Sequence, residues 1–317
     1  MRRRTFALSL LAAPAQAQPA AWPSRPIRLL VAFSAGTASD LLGRLVAQRL
    51  SERMGASFVV ENREGAGGTI AAALAARAAP DGHSLFLSTT ALALAPRLFR
   101  QVTFRPVEDF ASIGVIGWAP NVFVVGQGSP VTSMAGLIEA ARQAPGRIRY
   151  ASSGPGSGSW NAAELLKDLA GIEMEEIPYS STAQATTDAI TGQVDLHIPN
   201  LAGALPHIRG GRLRALAVTG RTRSASAPDI PATAELLPGF DAAGLFGLSG
   251  PAGLPAPVVE RLNAELNAVL ADPAVLATFR AAGVDPAPGP PEALSHAIAD
   301  TLSRWSALMD RVGFRPQ

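Results

Sequence analysis

Cysteine is absent from the sequence and lysine occurs once, at Lys167. Without cysteine the chain cannot form a disulfide bond, a thiolate nucleophile or a cysteine-ligated metal site. A phosphate-binding P-loop needs a lysine directly after its last glycine, whereas Lys167 lies within a predicted helix. No metal site is predicted, because the four histidines lack metal-binding spacing. These histidines are His83, His197, His207 and His296. No cofactor is predicted either.

Long apolar runs are also missing, apart from a short one near the N-terminus. Three arginines at positions 2–4 precede an apolar run from Phe6 to Ala13, and Ala15-Gln16-Ala17 has the small-x-small form of a cleavage site. This order is typical of an export signal, and the run is too short to span a bilayer. Residues 1–17 are therefore predicted to be a signal peptide cleaved near Ala17, and the mature protein is predicted to be exported. The arginines leave open whether export follows the general or the twin-arginine route.

A strong net charge is missing once the signal peptide is removed. Its removal leaves 24 basic residues against 25 acidic ones, a formal charge of −1. This balance gives no indication of a nucleic-acid partner or of an anionic membrane surface. With 317 residues, 48% of them hydrophobic, the chain is long enough for two domains with sizeable cores.

Short apolar runs alternate along the chain with longer helical patterns, which predicts an α/β fold with mostly parallel sheets. The predicted strands are 27–33, 57–62, 84–88, 148–151, 175–179, 194–198 and a run that ends near Thr219. The predicted helices are 39–54, 69–79, 133–144, one that begins near 159, and 183–191. The chain after residue 253 is predicted to be largely helical.

Two longer extended runs, "ASIGVIGWAPNVFVVGQ" and "AAGLFGLSGPAG", lie far apart in the sequence. We interpret them as the segments where the chain leaves one domain and later returns to it. This interpretation predicts a first domain of residues 24–121 plus 244–317 and a second of residues 122–243. Two such connections form a hinge of two crossing segments around a central cleft.

The stretch "YASSGPGSGSWNAAELLKDLAG" places serines and glycines between a strand and a helix. In a parallel sheet such a loop lies at the carboxyl edge, where ligands bind. Free N–H groups and the positive end of the helix dipole form an anion site there, and glycine lets a ligand approach closely. A glycine turn with a serine N-cap is the alternative, and the spacing does not fit a dinucleotide fingerprint. The candidate ligand-binding residues are Ser152, Ser153, Gly154, Gly156 and Ser157.

Two further stretches, "VAFSAGTASDLLGRL" and "LSTTALA", have the same order of strand, small polar loop and helix. Asp40 lies in a first helical turn, where capping N–H groups or complementing the dipole is favoured over direct ligand contact, which stays the alternative. Opposed helix N-termini from two domains would suit a small mono- or dicarboxylate. The candidates here are Ser34, Ala35, Gly36, Thr37, Ser39, Asp40, Ser88 and Thr89, and Tyr179 and Asp195 in two later strands complete the set.

Seven segments in this order resemble the solute-binding receptors of tripartite tricarboxylate transport systems, the Bug receptors. The resemblance implies a type II periplasmic binding protein, a two-domain Venus flytrap that is monomeric and captures a small organic carboxylate. It also implies that backbone N–H groups and ordered waters on Phe33–Asp40 and Ser152–Ser159 take up one ligand carboxylate. Membrane transporter subunits or a sensor kinase would then recognise the closed form. The segments are "VAFSAGTASDLLGRL", "VVENREGAGGTIAA", "PDGHSLFLSTTAL", "YASSGPGSGSWNAAELLKDLAG", "IPYSSTAQATTDAITGQVDL", "NLAGALPHIRGGRLRALAVTG" and "SGPAGLPAPVVERLNAEL".

Several positions depart from the family pattern and bear on ligand specificity rather than on the fold. They are Ala32, Thr37, Trp160 and the pair Ser181-Thr182. Trp160, where a histidine is common, would favour an aromatic or bulkier acid if it faces the ligand. The alternative for Trp160 is simple packing at the start of its helix.

An enzyme on the same scaffold, such as a hydrolase that uses a cleft serine, is the competing hypothesis. It requires a general base within hydrogen-bond reach of the serine. His83, His197 and His207 are available, but no motif links them to Ser152 or Ser157. The effector domain of a transcription regulator is excluded, because the signal peptide occupies the place of a DNA-binding segment.

Overall fold

A computed structural model describes residues 22–316, which form two β-sheets flanked by helices. The strands of the first sheet are β1 (Ile27–Val31), β2 (Phe58–Asn62), β3 (Ser84–Thr89), β4 (Phe110–Ala119), β10 (Gly244–Pro251) and β11 (Asp285–Pro286). Their order across this sheet is β11-β4-β10-β3-β1-β2. The predicted signal peptide, 1–17, lies outside the described residues.

The second sheet is built from the middle of the chain. Its strands are β5 (Val122–Gly126), β6 (Arg149–Ser152), β7 (Glu175–Pro178), β8 (Leu196–His197) and β9 (Leu213–Val218), in the order β7-β6-β8-β5-β9. The chain passes from the first sheet to the second between Ala119 and Val122, and it returns between Val218 and Gly244. The predicted domain boundaries fall within these two links, and the division into hinged domains stays a prediction.

Polar caps in the sequence set the starts of many helices. The helices are α1 (Ala38–Met54), α2 (Thr69–Ala76), α3 (Thr90–Leu98), α4 (Met134–Gln143), α5 (Gly158–Ala170), α6 (Thr182–Thr191), α7 (Leu201–Arg209), α8 (Ala256–Leu270), α9 (Pro273–Ala281) and α10 (Glu292–Arg311). Hydroxyl groups of Thr37, Ser133, Ser157 and Ser181 each accept the N–H three residues further on. Each of the helices in this part of the chain is too short or too polar to cross a membrane.

Helix α7 is absent from the sequence prediction, whereas α3 was expected from the order of strand, polar loop and helix at "LSTTALA". Helix α3 follows β3 directly, and no capping side chain marks its start. Helix α7 contains Gly203 and Pro206, which both lower helix propensity. The local sequence of α7 therefore gave no clear helix signal.

The prediction of mostly parallel sheets is only partly right. Strand β1 runs parallel to β2 and β3, and β6 runs parallel to β7 and β8. The strands next to the two links are antiparallel to their neighbours: β10 to β3 and β4, and β5 to β8 and β9. A strand that enters a sheet from the other half of the molecule starts at the edge where the parallel strands end, so its direction is reversed.

Helix α10 packs against both halves of the molecule. Leu294 and Ile298 belong to a hydrophobic cluster on the first sheet. About two turns further along the helix, Trp305, Leu308 and Met309 belong to the main cluster of the second sheet. The C-terminal part of α10 therefore adds to the core of the second half, although sequence analysis assigned all of 244–317 to the first domain.

Candidate functional site

The carboxyl ends of the parallel strands lie on facing edges of the two sheets. In the first sheet, Ala119 lies opposite Gly244, and Phe246 lies opposite Thr89, so β4 ends at the same edge as β3 and β1. In the second sheet, β5 runs antiparallel to β8, which is parallel to β6, so β5 begins at the edge where β6 ends. The short link from Ala119 to Val122 joins these two edges. The loops that follow β1 and β6 therefore border one interdomain space.

The loop after β1 is held in shape by the buried carboxylate of Asp40, which is 2% exposed. Its Oδ2 accepts the Gly36 N–H at 2.9 Å and the Arg44 Nε–H at 3.1 Å. Its Oδ1 accepts the side-chain amide of Asn62 at 2.9 Å. The carboxylate of Asp40 thus accepts its hydrogen bonds from groups of the protein, as expected for a residue that positions the loop.

The charge state of Asp40 follows from these contacts. The hydrogen bond from Arg44 is the main cause that lowers the pKa of Asp40 to about 2, and the Gly36 N–H and Asn62 amide act in the same direction against burial. The carboxylate is therefore ionised at neutral pH. Its negative charge next to the first turn of α1 complements the helix dipole.

Two backbone donors remain open at the start of α1. Thr37 caps this helix: its hydroxyl accepts the Asp40 N–H and donates to the Ser34 carbonyl at 2.8 Å. The first N–H groups of a helix have no acceptor within it, and those of Ala38 and Ser39 bond to no other group among residues 22–316. These N–H groups are available to a ligand or to water.

The loop after β6 is a compact turn that uses its serines internally. The Ser152 hydroxyl accepts the Gly154 N–H at 2.9 Å, and the Ser159 hydroxyl accepts the Ser153 N–H at 3.2 Å. Ser157 caps α5 and shares a hydrogen bond of 3.1 Å with Ser159. These hydroxyls shape the loop, so fewer of them are free for a ligand than the sequence suggested.

Glycine is required twice in this second loop. Gly154 has φ +89° and Gly156 has φ +82°, in the left-handed region that side chains rarely adopt. The resulting turn leads into α5, whose first N–H groups, on Gly158 and Ser159, have no acceptor in the described part of the chain. The second edge therefore presents its own pair of open N–H donors, equivalent to the pair at the first edge.

The third predicted cluster, at the end of β3, is corrected at one position. Ser88 is fully buried and shares a hydrogen bond with Ser249 of the neighbouring strand β10. Contrary to the prediction, Ser88 cannot reach a ligand, because it points into the sheet core. Thr89, which follows it, is almost buried and precedes the first turn of α3 at the site edge.

Tyr179 and Asp195 lie at opposite edges of the second sheet. The Tyr179 N–H donates to the Ser152 carbonyl at 2.7 Å, which places Tyr179 beside the second loop, and its hydroxyl donates to Asp188 at 2.7 Å. Asp195 lies just before β8 and accepts the N–H and Nε–H of Arg149, at the start of β6. Contrary to the prediction, Asp195 is therefore at the edge away from the loops.

Sequence analysis missed two residues of the site, Asn62 and Glu64. Asn62 ends β2, and its amide binds both Asp40 and the Phe33 carbonyl. Glu64 follows in the β2–α2 loop and accepts a hydrogen bond from the Ser34 hydroxyl. The available signal was positional: "ENREGAGG" runs from the end of β2, a strand parallel to β1, into the loop that follows it.

Trp160 does not face the interdomain space. It is 6% exposed and lies in the main hydrophobic cluster of the second sheet, with its ring 5.7 Å from that of Phe314. Simple packing at the helix start, the alternative of the sequence analysis, accounts for it. Trp160 therefore gives no reason to expect an aromatic ligand.

The loop serines lack a histidine partner in the described range. His197 is buried, which lowers its pKa to about 4, and its ring contacts Thr186 instead. His83 accepts the Ser24 N–H at the other edge of the first sheet. Ser34 does contact a carboxylate, that of Glu64, but within residues 22–316 no histidine hydrogen-bonds to this pair to complete a nucleophile triad.

The family described as the tripartite tricarboxylate transporter family receptor matches residues 42–314. The chain belongs to this receptor family. A solved structure of Rpa4515 from R. palustris with adipate is 34% identical, covers 93% of this chain and 100% of that one, and has a TM-score of 0.76. The periplasmic binding protein BugD is 31% identical, with 93% and 100% covered and a TM-score of 0.73. MatC from Rhodopseudomonas palustris with bound malate is 28% identical, with 90% and 99% covered and a TM-score of 0.70.

These likenesses confirm two conclusions of the sequence analysis. The family resemblance was correct, and the fold is that of a two-domain periplasmic binding protein. Membership of the receptor family makes the chain a solute-binding receptor.

Proposed function

We propose that the receptor binds a small organic acid in the space between its two halves, where backbone N–H groups hold one carboxylate. The observation that carries this proposal is the pair of open helix starts, Ala38-Ser39 on one edge and Gly158-Ser159 on the facing edge. A helix N-terminus carries partial positive charge and suits an anion. The adipate and malate in two similar proteins support this ligand class.

The proposed ligand-binding residues come from three loops. Ala38, Ser39, Gly158 and Ser159 supply the open N–H groups. The surrounding residues of the proposed site are Ser34, Ala35, Gly36 and Thr37 in the first loop, Ser152, Ser153, Gly154, Gly156 and Ser157 in the second, and Thr89 beside them. Asp40 and Tyr179 support the loops through their own hydrogen bonds. Backbone groups dominate this set, so the scaffold can hold a carboxylate without a charged side chain.

Ligand binding is proposed to close the two domains about the links at 119–122 and 219–243. A ligand that touches both edges only in the closed form shifts the equilibrium toward closure. The C-terminal part of α10 would move with the second domain, because it packs in that core. We further propose a periplasmic monomer, exported by its signal peptide, whose closed form is recognised by membrane transporter subunits or a sensor kinase.

A thermal-shift screen of residues 18–317 tests the ligand class. The panel contains mono-, di- and tricarboxylates, amino acids, aromatic acids and matched primary amides that lack the carboxylate. A ligand at 100 times its dissociation constant stabilises the folded state by about 2.7 kcal/mol, so a carboxylate is expected to raise the melting temperature and its amide is not. The bound acid should be recovered unchanged, as a receptor without catalysis requires. A panel in which amides and acids act alike contradicts the proposal.

A further inference from the structure

The first loop contacts an exposed carboxylate through the side chain of Ser34. Glu64, on the β2–α2 loop, is exposed, and the Ser34 hydroxyl donates to it. Ser34 itself lies in the first ligand loop, four residues before Ala38. The hydroxyl proton that the sequence offered to a ligand is therefore directed at Glu64 instead.

The charges around Glu64 leave it without a cation partner among residues 22–316. Arg63, its neighbour in sequence, directs its guanidinium at Glu61, and Arg28 also binds Glu61. Arg44 is engaged by Asp40 and Asn62. Each of these three arginines is thus engaged by another group, and the side chain of Glu64 is exposed to solvent.

The polar groups of the first loop fall into two sets, those already hydrogen-bonded within the protein and those without a partner among residues 22–316. The Gly36 N–H is taken by Asp40, and the Ser34 hydroxyl is taken by Glu64. What remains is a pair of N–H donors, on Ala38 and Ser39, and an acceptor of full negative charge on Glu64. Such a site attracts a ligand that carries an anion and a cation side by side, and it repels a second anion placed near Glu64.

We propose that Glu64 determines specificity by selecting carboxylic acids that carry an ammonium group near the carboxylate. The carboxylate would bind the open N–H groups, and the ammonium would donate to Glu64. This inference rests on the proposed function and narrows its ligand class to amino-acid-like zwitterions.

Isothermal titration of the wild-type protein with matched acid pairs tests this proposal without any variant. The pairs are succinate and aspartate, glutarate and glutamate, propanoate and alanine, and 3-phenylpropanoate and phenylalanine. A hydrogen bond to a charged group is worth roughly a ten- to hundredfold change in affinity. In any pair that binds, the amino-bearing member is therefore expected to bind at least about tenfold more tightly.

Glu64→Gln removes the charge and keeps the size of the side chain. It is expected to reduce the preference for the amino-bearing member by about tenfold or more, with an unchanged melting temperature because Glu64 is exposed. Glu108→Gln is the matched control, because it also removes one exposed carboxylate. Its neighbour Asp109 bonds to Ala252, just after the end of β10 that lies away from the loops. This variant should leave the preference for the amino-bearing acid unchanged.

The outcomes separate this proposal from the proposed function. If carboxylates bind and the amino-bearing member has no advantage, or if Glu64→Gln keeps the full preference, the role of Glu64 is overturned and the receptor function stands. If no carboxylate from these pairs or from the thermal-shift panel binds, both proposals fail.

Discussion

Replacing Gly154 by valine is expected to weaken carboxylate binding more than about a hundredfold while the protein stays folded. Gly154 has φ +89°, a conformation that is strained for any β-branched residue. A Cβ at this position meets nothing within 4 Å, so valine fits sterically and acts only through the backbone. The strain turns the loop away from its present path, and the N–H groups at the start of α5 lose their alignment.

The matched control for this variant is Gly171→Val at the other end of the same helix. Gly171 has φ +60°, and a Cβ there also meets nothing within 4 Å. It should lower stability by a similar amount, about 1–2 kcal/mol, and leave affinity unchanged. Gly36→Val, at φ +83° in open space, is the equivalent change in the first loop. Isothermal titration of each variant with the acid from the screen measures these affinities. Wild-type affinity in Gly154→Val would contradict the claim that the loop after β6 binds the carboxylate.

Asp40→Asn is expected to lower the free energy of unfolding by about 2 kcal/mol at pH 7, more than the loss of a simple cap. The native pKa of Asp40 is held at about 2, against an ordinary value of 3.8. Because the native pKa is the lower one, the ionised carboxylate stabilises the fold above about pH 4. That contribution is lost as the pH falls through about 2, where the native carboxylate takes up its proton.

Urea unfolding of wild type and Asp40→Asn at several pH values measures this effect. The difference in unfolding free energy should be full at pH 6–7 and should shrink steadily below about pH 4. Affinity should fall as well, since the Gly36 N–H loses its charged acceptor and the first loop loosens. A difference below about 0.5 kcal/mol at pH 7 would mean that Asp40 contributes little to the loop.

The loops and most elements were predictable because their signals are local. Serine or threonine before a helical pattern marks a helix start, and Ser157 and Thr37 indeed cap α5 and α1. Both loops follow apolar runs that form β6 and β1. Sequence order alone therefore places the two candidate loops at the carboxyl ends of strands.

The corrected positions depend on contacts between distant residues. Ser88 is removed from the site by Ser249, a partner 161 residues away in the sequence. Asp195 is removed because β8 is only two residues long and begins beyond it, where Arg149 of another strand takes the carboxylate. No periodicity in the sequence reports such pairings.

The contact between Glu64 and Ser34 could not be predicted from local sequence either. The loop of Glu64 was visible in the sequence, but the Ser34 contact arises only because β2 lies beside β1 in the sheet. The reversal of β5 and β10 is likewise a consequence of the two links between the halves. Chain topology, rather than local composition, decides these features.

Ala38→Pro gives the most direct test of the central claim that backbone N–H groups hold the carboxylate. Proline is favoured at the first position of a helix, and it deletes the N–H there. Thr37 before it has φ −73° and ψ 162°, the extended conformation that a residue before proline prefers. The substitution therefore removes one donor with little other change, and Ala38→Gly, which keeps the N–H, is its control.

The measurement is the affinity of both variants for the acid from the screen, by isothermal titration. We predict a loss of roughly ten- to a hundredfold for Ala38→Pro, as for one hydrogen bond to a charged group, and none for Ala38→Gly. Wild-type affinity in a folded Ala38→Pro protein would contradict the claim that the start of α1 binds the ligand.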